Sequence, residues 1–132
     1  MADGQAACEV LARAQSGDIV LFAGKGLVSA TIRFFTRSRW SHVGVVLRAA
    51  GSDELLLLES TVTDESADID LGVSVRGVQL VRLADKLATY EGSVALRRLE
   101  LEARPDGLDV ALQEFAALWR YRGYKSFTAT LL

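Results

Sequence analysis

Apolar residues recur along this chain at two spacings, and the switches between them divide it into elements. From Gln5 to Gln15, Ala7, Val10, Leu11 and Ala14 fall at helical spacing and Ser16-Gly17 supplies a stop, which predicts a short amphipathic helix. "DIVLFAG" (Asp18 to Gly24) is an apolar run bounded by glycines and suits a buried strand. In "GLVSATIRFFTRSR", Val28, Ile32 and Phe35 return to helical spacing with Arg33, Arg37 and Arg39 off the stripe, so a helix or helical loop is expected there. "SHVGVVL" and "ELLLLES" are the strongest strands. Ala49-Ala50-Gly51-Ser52-Asp53 between them has the composition of a hairpin loop, which pairs them antiparallel.

Further on, the segment from Thr63 to Asp70 carries Asp64, Glu65, Asp68 and Asp70 and reads as a solvated loop. "GVQLVRL" is a further strand, "LADKLATY" a short helix and "SVALRRLEL" another strand. Pro105-Asp106-Gly107 opens a helix with Leu108, Leu112, Phe115, Ala116 and Trp119 on one stripe, running to Tyr121 and ended by Gly123. The expected architecture is α+β, a mostly antiparallel sheet of about five strands flanked by helices.

Size and charge narrow the class. The chain has 132 residues, half of them hydrophobic, and one proline, enough for a single domain over 1–132 with its own core. A net charge of -2 provides no global field for nucleic acid or an anionic membrane, so no nucleic-acid partner is expected. No apolar run approaches the roughly 18 residues of a membrane span. The one cysteine, Cys8, cannot form an internal disulfide, and "MADGQAACEV" lacks the basic-then-apolar pattern of a secretory signal, so a reducing, cytoplasmic setting is expected. Neither metal nor cofactor is indicated: the four carboxylates of 63–70 lack the glycine and final glutamate of an EF-hand loop, and Gly24-Lys25-Gly26 lacks Walker spacing.

The only histidine, His42, lies inside an apolar strand. Alternation places it with Gly44 and Val46 on one face, and the glycine should leave open space beside the imidazole. If Leu47 and Glu54 close the hairpin, counting outward sets His42 opposite Glu59; a slip of one residue would put Ser60 or Leu58 there instead. A carboxylate beside an imidazole fixes its tautomer and stabilises its protonated form, the orienting role in a nucleophile, base and orienter set. The plainer alternative is a half-buried histidine satisfied by a backbone carbonyl, with Glu59 ending a strand at the surface.

"GDIVLF", then "SATIRFFTRSRWSHVGVVL", then "LLLLES", resembles the circularly permuted papain-like amidases, the YiiX-like branch of the NlpC-type superfamily. "GVQLVRLADKLATYEGSVALRRL" and "YRGYKSF" extend the likeness from about Gly17 through most of the chain. The resemblance implies a permuted papain-like fold, possibly incomplete, and a cysteine-hydrolase function at amide or ester bonds, with His42 the base and Glu59 its orienting partner. In that family a catalytic cysteine opens a helix after the segment similar to "YRGYKSF", and these 132 residues carry none there.

Cys8 stands near a helix start and before the histidine, but the connection to Gly17 is short, and its place beside the apolar stripe gives it a packing role. Ser126 and Thr128 lie in the terminal tail with no base identified near them. The expectations are a fragment, an inactive relative, or a chain that receives its nucleophile from a partner. Loss of a closing helix would leave an apolar face for a homo-oligomer or protein partner. The competing class is a binding or structural module using the same fold for a protein or lipid. Lys25, Arg33, Arg37 and Arg39 with Trp40 would steer an anionic or lipid substrate, or form the solvated side of a helix. Arg97, Arg98, Arg104, Arg120, Arg122 and Lys125 read mainly as surface charge.

Overall fold

The computed structural model describes residues 3–25, 30, 31, 34, 37–61, 66–100 and 104–123. Its elements follow in the order α1 (Gly4–Arg13), β1 (Ile19–Gly24), β2 (His42–Arg48), β3 (Leu55–Thr61), β4 (Gly77–Arg82), α2 (Leu83–Thr89), β5 (Gly92–Arg97) and α3 (Leu108–Trp119). The strands form one five-stranded sheet in the order β4-β3-β2-β1-β5 with every neighbouring pair antiparallel, so the α+β expectation holds. Of the segment expected to be helical before β2, Ala30, Thr31 and Phe34 are helical. Val28, Ile32, Arg33 and Phe35 lie outside the described residues, as do Asp64, Glu65, Lys125, Ser126 and Thr128.

Strand alternation gives the sheet two apolar faces. On one, Val20 and Phe22, Val46, Leu57, Val81 and Val94 pack against Val10 of α1, Ala14 just beyond its end, and Leu83 and Leu87 of α2. On the other, Leu47, Leu56 and Leu80 pack against Ala116 of α3. Leu83 begins α2 where β4 ends, and that helix carries the chain from one edge strand to the other, where β5 pairs with β1. The helix at the C-terminal end stops at Trp119, short of Tyr121 and Gly123, because Arg120 turns extended and Tyr121 takes φ +66. Tyr121 N–H then donates to the Val78 carbonyl at 2.7 Å, and Val78 N–H to that of Arg122 at 2.9 Å. The absence of a Cβ at Gly77 admits the Arg122 carbonyl against β4.

Two buried carboxylates fasten the segments around this sheet. Asp18 accepts the amides of Gln15 at 2.9 Å and Leu99 at 2.8 Å and the guanidinium of Arg104 at 2.6 Å. Burial pushes its pKa up, but those amides and the Arg104 charge outweigh the penalty and hold it below the usual carboxylate range. Asp68 behaves in the same way, burial opposing its charge and the Leu80 amide, Arg120 and the amides of Asp70 and Leu71 prevailing. Two expectations are thereby corrected. The acidic segment is not wholly a solvated loop, since Asp68 is 1% exposed, and Arg104 and Arg120 are structural clamps rather than surface charge.

Candidate functional site

His42 opens β2 and Glu59 lies near the end of β3, on the sheet face that carries Val46 and Leu57 into the α1 and α2 core. The register differs from the expected one. Ala49 N–H donates to the Glu54 carbonyl at 2.8 Å, so Ala50 to Asp53 form the turn, with Gly51 at φ +68, and Arg48 faces Leu55. Glu59 therefore faces Gly44, two residues along from His42. A displacement of two residues preserves the face, where a displacement of one would have reversed it. Along that diagonal His42 Nε2 and Glu59 Oε1 meet at 2.8 Å.

The place beside the imidazole is not open. A Cβ at Gly44 would stand 2.6 Å from Leu57 Cγ, so Leu57 covers the glycine. Phe22 of β1 lies against the ring, with centroids 5.4 Å apart, and Tyr90 packs on Phe22 at 4.7 Å. His42 keeps 21% of its side chain accessible, while the Glu59 side chain is fully enclosed and not at the surface.

Glu59 is satisfied from three directions. Oε1 receives His42 Nε2 and Lys86 Nζ, the latter at 3.0 Å; Oε2 receives Gln79 Nε2 at 2.9 Å and lies 3.4 Å from Lys86 Nζ. Gln79 is itself oriented by the Val75 amide, which donates to its Oε1 at 2.9 Å. Lys86 is 3% exposed, and its ammonium stands 5.4 Å from the ring centroids of both Phe22 and Tyr90. A carboxylate paired with an ammonium is acceptor-only, so His42 Nε2 is the donor. In the neutral ring Nδ1 then keeps its lone pair, and no described residue hydrogen-bonds to it.

Lys86 and Gln79 belong to no motif, although both leave a trace in the sequence. Lys86 falls on the Leu83 and Leu87 stripe of a short helix, and Gln79 alternates with Val81 on an inward strand face. A polar residue in such a position requires a buried partner. Cys8 does not take the packing role assigned to it: it is exposed on α1, while Val10 and Ala14 make the buried contact. His42 and Cys8 share no hydrogen bond; among the described residues the imidazole meets Glu59 and Phe22. In the basic cluster before β2, Arg39 stacks over Trp40 at 4.9 Å.

Among the described residues no helix is long and apolar enough to cross a membrane, and no group of three or more His, Cys, Asp or Glu side chains could hold a metal ion. The chain matches no protein-family model and no curated protein, which leaves the geometry and chemistry of this site as the ground for a function.

Proposed function

We propose that the chain is a cysteine-hydrolase-type domain of the permuted papain-like kind, in which His42 is the general base and Glu59 orients it. The supporting observation is the 2.8 Å contact between His42 Nε2 and Glu59 Oε1 on a partly accessible ring. Nδ1 would take the proton of a thiol, and the sulfur would attack the carbonyl carbon of an amide or ester. As the tetrahedral intermediate collapses, the imidazolium returns that proton to the departing nitrogen or oxygen. Water, deprotonated by the same ring, then releases the acyl group from sulfur. On this reading a second polypeptide segment, rather than the exposed Cys8, would deliver that thiol, and these 132 residues alone would not hydrolyse substrate.

An exogenous thiol tests this reading. With p-nitrophenyl acetate as acyl donor and 2-mercaptoethanol as acceptor, the chain should accelerate thiolysis about tenfold, a fraction of what a fully positioned base supplies. His42→Ala should abolish the acceleration. Equal rates with and without His42 would refute a general-base role.

A second reading, a module that docks a protein partner or another copy of itself, is favoured by the outer side of α3. Val110, Phe115, Leu118 and Trp119 are exposed there on one helix. Such a module would keep the His42 and Glu59 pair for stability and show no thiolysis.

A further inference from the structure

The two edges of the sheet are treated differently among the described residues. Along β4, Tyr121 N–H donates to the Val78 carbonyl and Val78 N–H to that of Arg122, so an extended segment of the chain already lies on that edge. Along β5 the edge is open. Lys25 N–H donates to the Glu91 carbonyl at 3.2 Å, and alternation along the β1 ladder from that bond makes Ser93, Ala95 and Arg97 the residues bonded to Ala23, Leu21 and Ile19. The N–H and C=O groups of Val94 and Leu96 therefore point away from β1, and no described residue pairs with them.

A groove of about 230 Å³ lies between this edge and α1. Ala6 and Val10 of α1, with Val94 and Leu96, give it apolar walls, and the exposed Glu9, Arg13 and Arg98 stand around it. That volume is below the roughly 300 Å³ of a small-molecule pocket, whereas a strand laid along β5 needs room there only for every second side chain, its backbone being held by the edge itself. Among the described residues Arg13 and Arg98 make no salt bridge, so the groove sets two cations against the one carboxylate of Glu9 and favours an anionic occupant. A second copy of the chain suits it less. Antiparallel pairing of β5 with itself has its two-fold axis normal to the sheet, which brings a second α1 to the side where the first already flanks the groove; a lone strand brings no helix.

We propose that β5 is a docking edge for an extended acidic segment of a partner protein, added antiparallel as a sixth strand. Strand alternation sets the pattern it reads: a carboxylate beside Arg98, then apolar side chains two and four residues later, opposite Leu96 and Val94. The main chain of the segment supplies the affinity, and Arg98 with Arg13 supplies the sign of charge. This surface is independent of His42 and of any reaction there.

The blocked peptide acetyl-Glu-Thr-Val-Thr-Val-Thr-amide, titrated into the 15N-labelled chain, tests the proposal. It should shift the amide signals of Val94 and Leu96 with a Kd of about 100 µM, and at about 1 mM should slow their hydrogen exchange roughly tenfold. Lysine in place of the peptide glutamate should weaken binding roughly fivefold, and Arg98→Glu should reverse that preference. Methylating the amide nitrogens of both valines should abolish binding, since each donates to the edge. No binding at about 1 mM, shifts confined to α3, undiminished binding of the methylated peptide, or equal affinity for the glutamate and lysine peptides would each overturn the proposal. So would Val94 and Leu96 amides already protected in the free chain, or protected as the chain alone is concentrated, because the edge would then belong to the chain itself or to a second copy.

Discussion

Glu59 lies across the ladder from Gly44, and its carboxylate reaches His42 along the diagonal, 2.8 Å from Nε2. Gly44 is where that geometry is most exposed to change. A new methyl there would press on Leu57 Cγ at 2.6 Å, a branch point of a fully buried side chain rather than a flexible end. Gly44→Ala should therefore destabilise the fold by about 2 kcal/mol, as overpacking in a close-packed core does. Urea unfolding measures it, and an unchanged midpoint would show that Leu57 moves aside at no cost.

The face of the His42 and Glu59 pair was legible in the sequence, and its register was not. Alternation in "SHVGVVL" and "ELLLLES" depends only on the period of a strand, and both side chains do project into the same layer. The pairing offset depends on which residues form the turn, and Ala49 to Asp53 contain no dipeptide that fixes this. Asp68 and Arg120 look solvated in the sequence because the contact joining them spans 52 positions and no local pattern announces it. For α3 the stripe holds in part: Ala116 is buried and Leu112 packs beside it on the second sheet face, yet Phe115 and Trp119 are exposed.

Charge pairing beneath the imidazole gives a stability prediction. Glu59→Gln removes the carboxylate that lies 3.0 Å from the enclosed Lys86 ammonium, and breaking such a pair costs about 3 kcal/mol. Adding Lys86→Met removes the enclosed cation as well, so the double variant should recover most of that loss. A double-mutant cycle by urea denaturation reads the coupling. Additive losses would mean that the two charges do not sense each other.

Acid should unfold the protein through Asp18 and Asp68. Both are held below the usual carboxylate range, so both bind protons less readily folded than unfolded. Their contribution is fully present above the unfolded pKa of about 4 and is lost as pH falls through the lower folded values. Unfolding midpoints should be flat with respect to these groups above pH about 5 and drop steeply below pH about 4. Asp18→Asn should flatten the drop and lower stability at neutral pH, where it loses the ion pair with Arg104. An acid limb as steep in Asp18→Asn/Asp68→Asn as in the parent would assign the effect elsewhere.

Cys8 lies exposed on α1 and shares no hydrogen bond with His42. Iodoacetamide should alkylate it in the folded protein at the same rate in the parent and in His42→Ala. A rate at least tenfold lower without the imidazole would mean that the ring activates this thiol, and the search for a second nucleophile would end there.

The outer side of α3 bears on the docking reading. Val110, Phe115 and Leu118 are each more than half exposed and Trp119 is 41% exposed, while Glu114 is the charged residue between them. Covering one large apolar side chain is worth about 2 kcal/mol, so an interface centred on three or four of them can overcome part of the cost of association. The chain should therefore elute on sizing columns above the mass of one 132-residue polypeptide at roughly 100 µM, and Leu118→Lys should return it to a monomer by more than tenfold weaker association. Because Leu118 is 65% exposed, that substitution should leave the unfolding midpoint of the monomer unchanged. A parent that elutes as a monomer at that concentration would exclude self-association through α3, and a lower midpoint in Leu118→Lys would place this side chain in the fold instead.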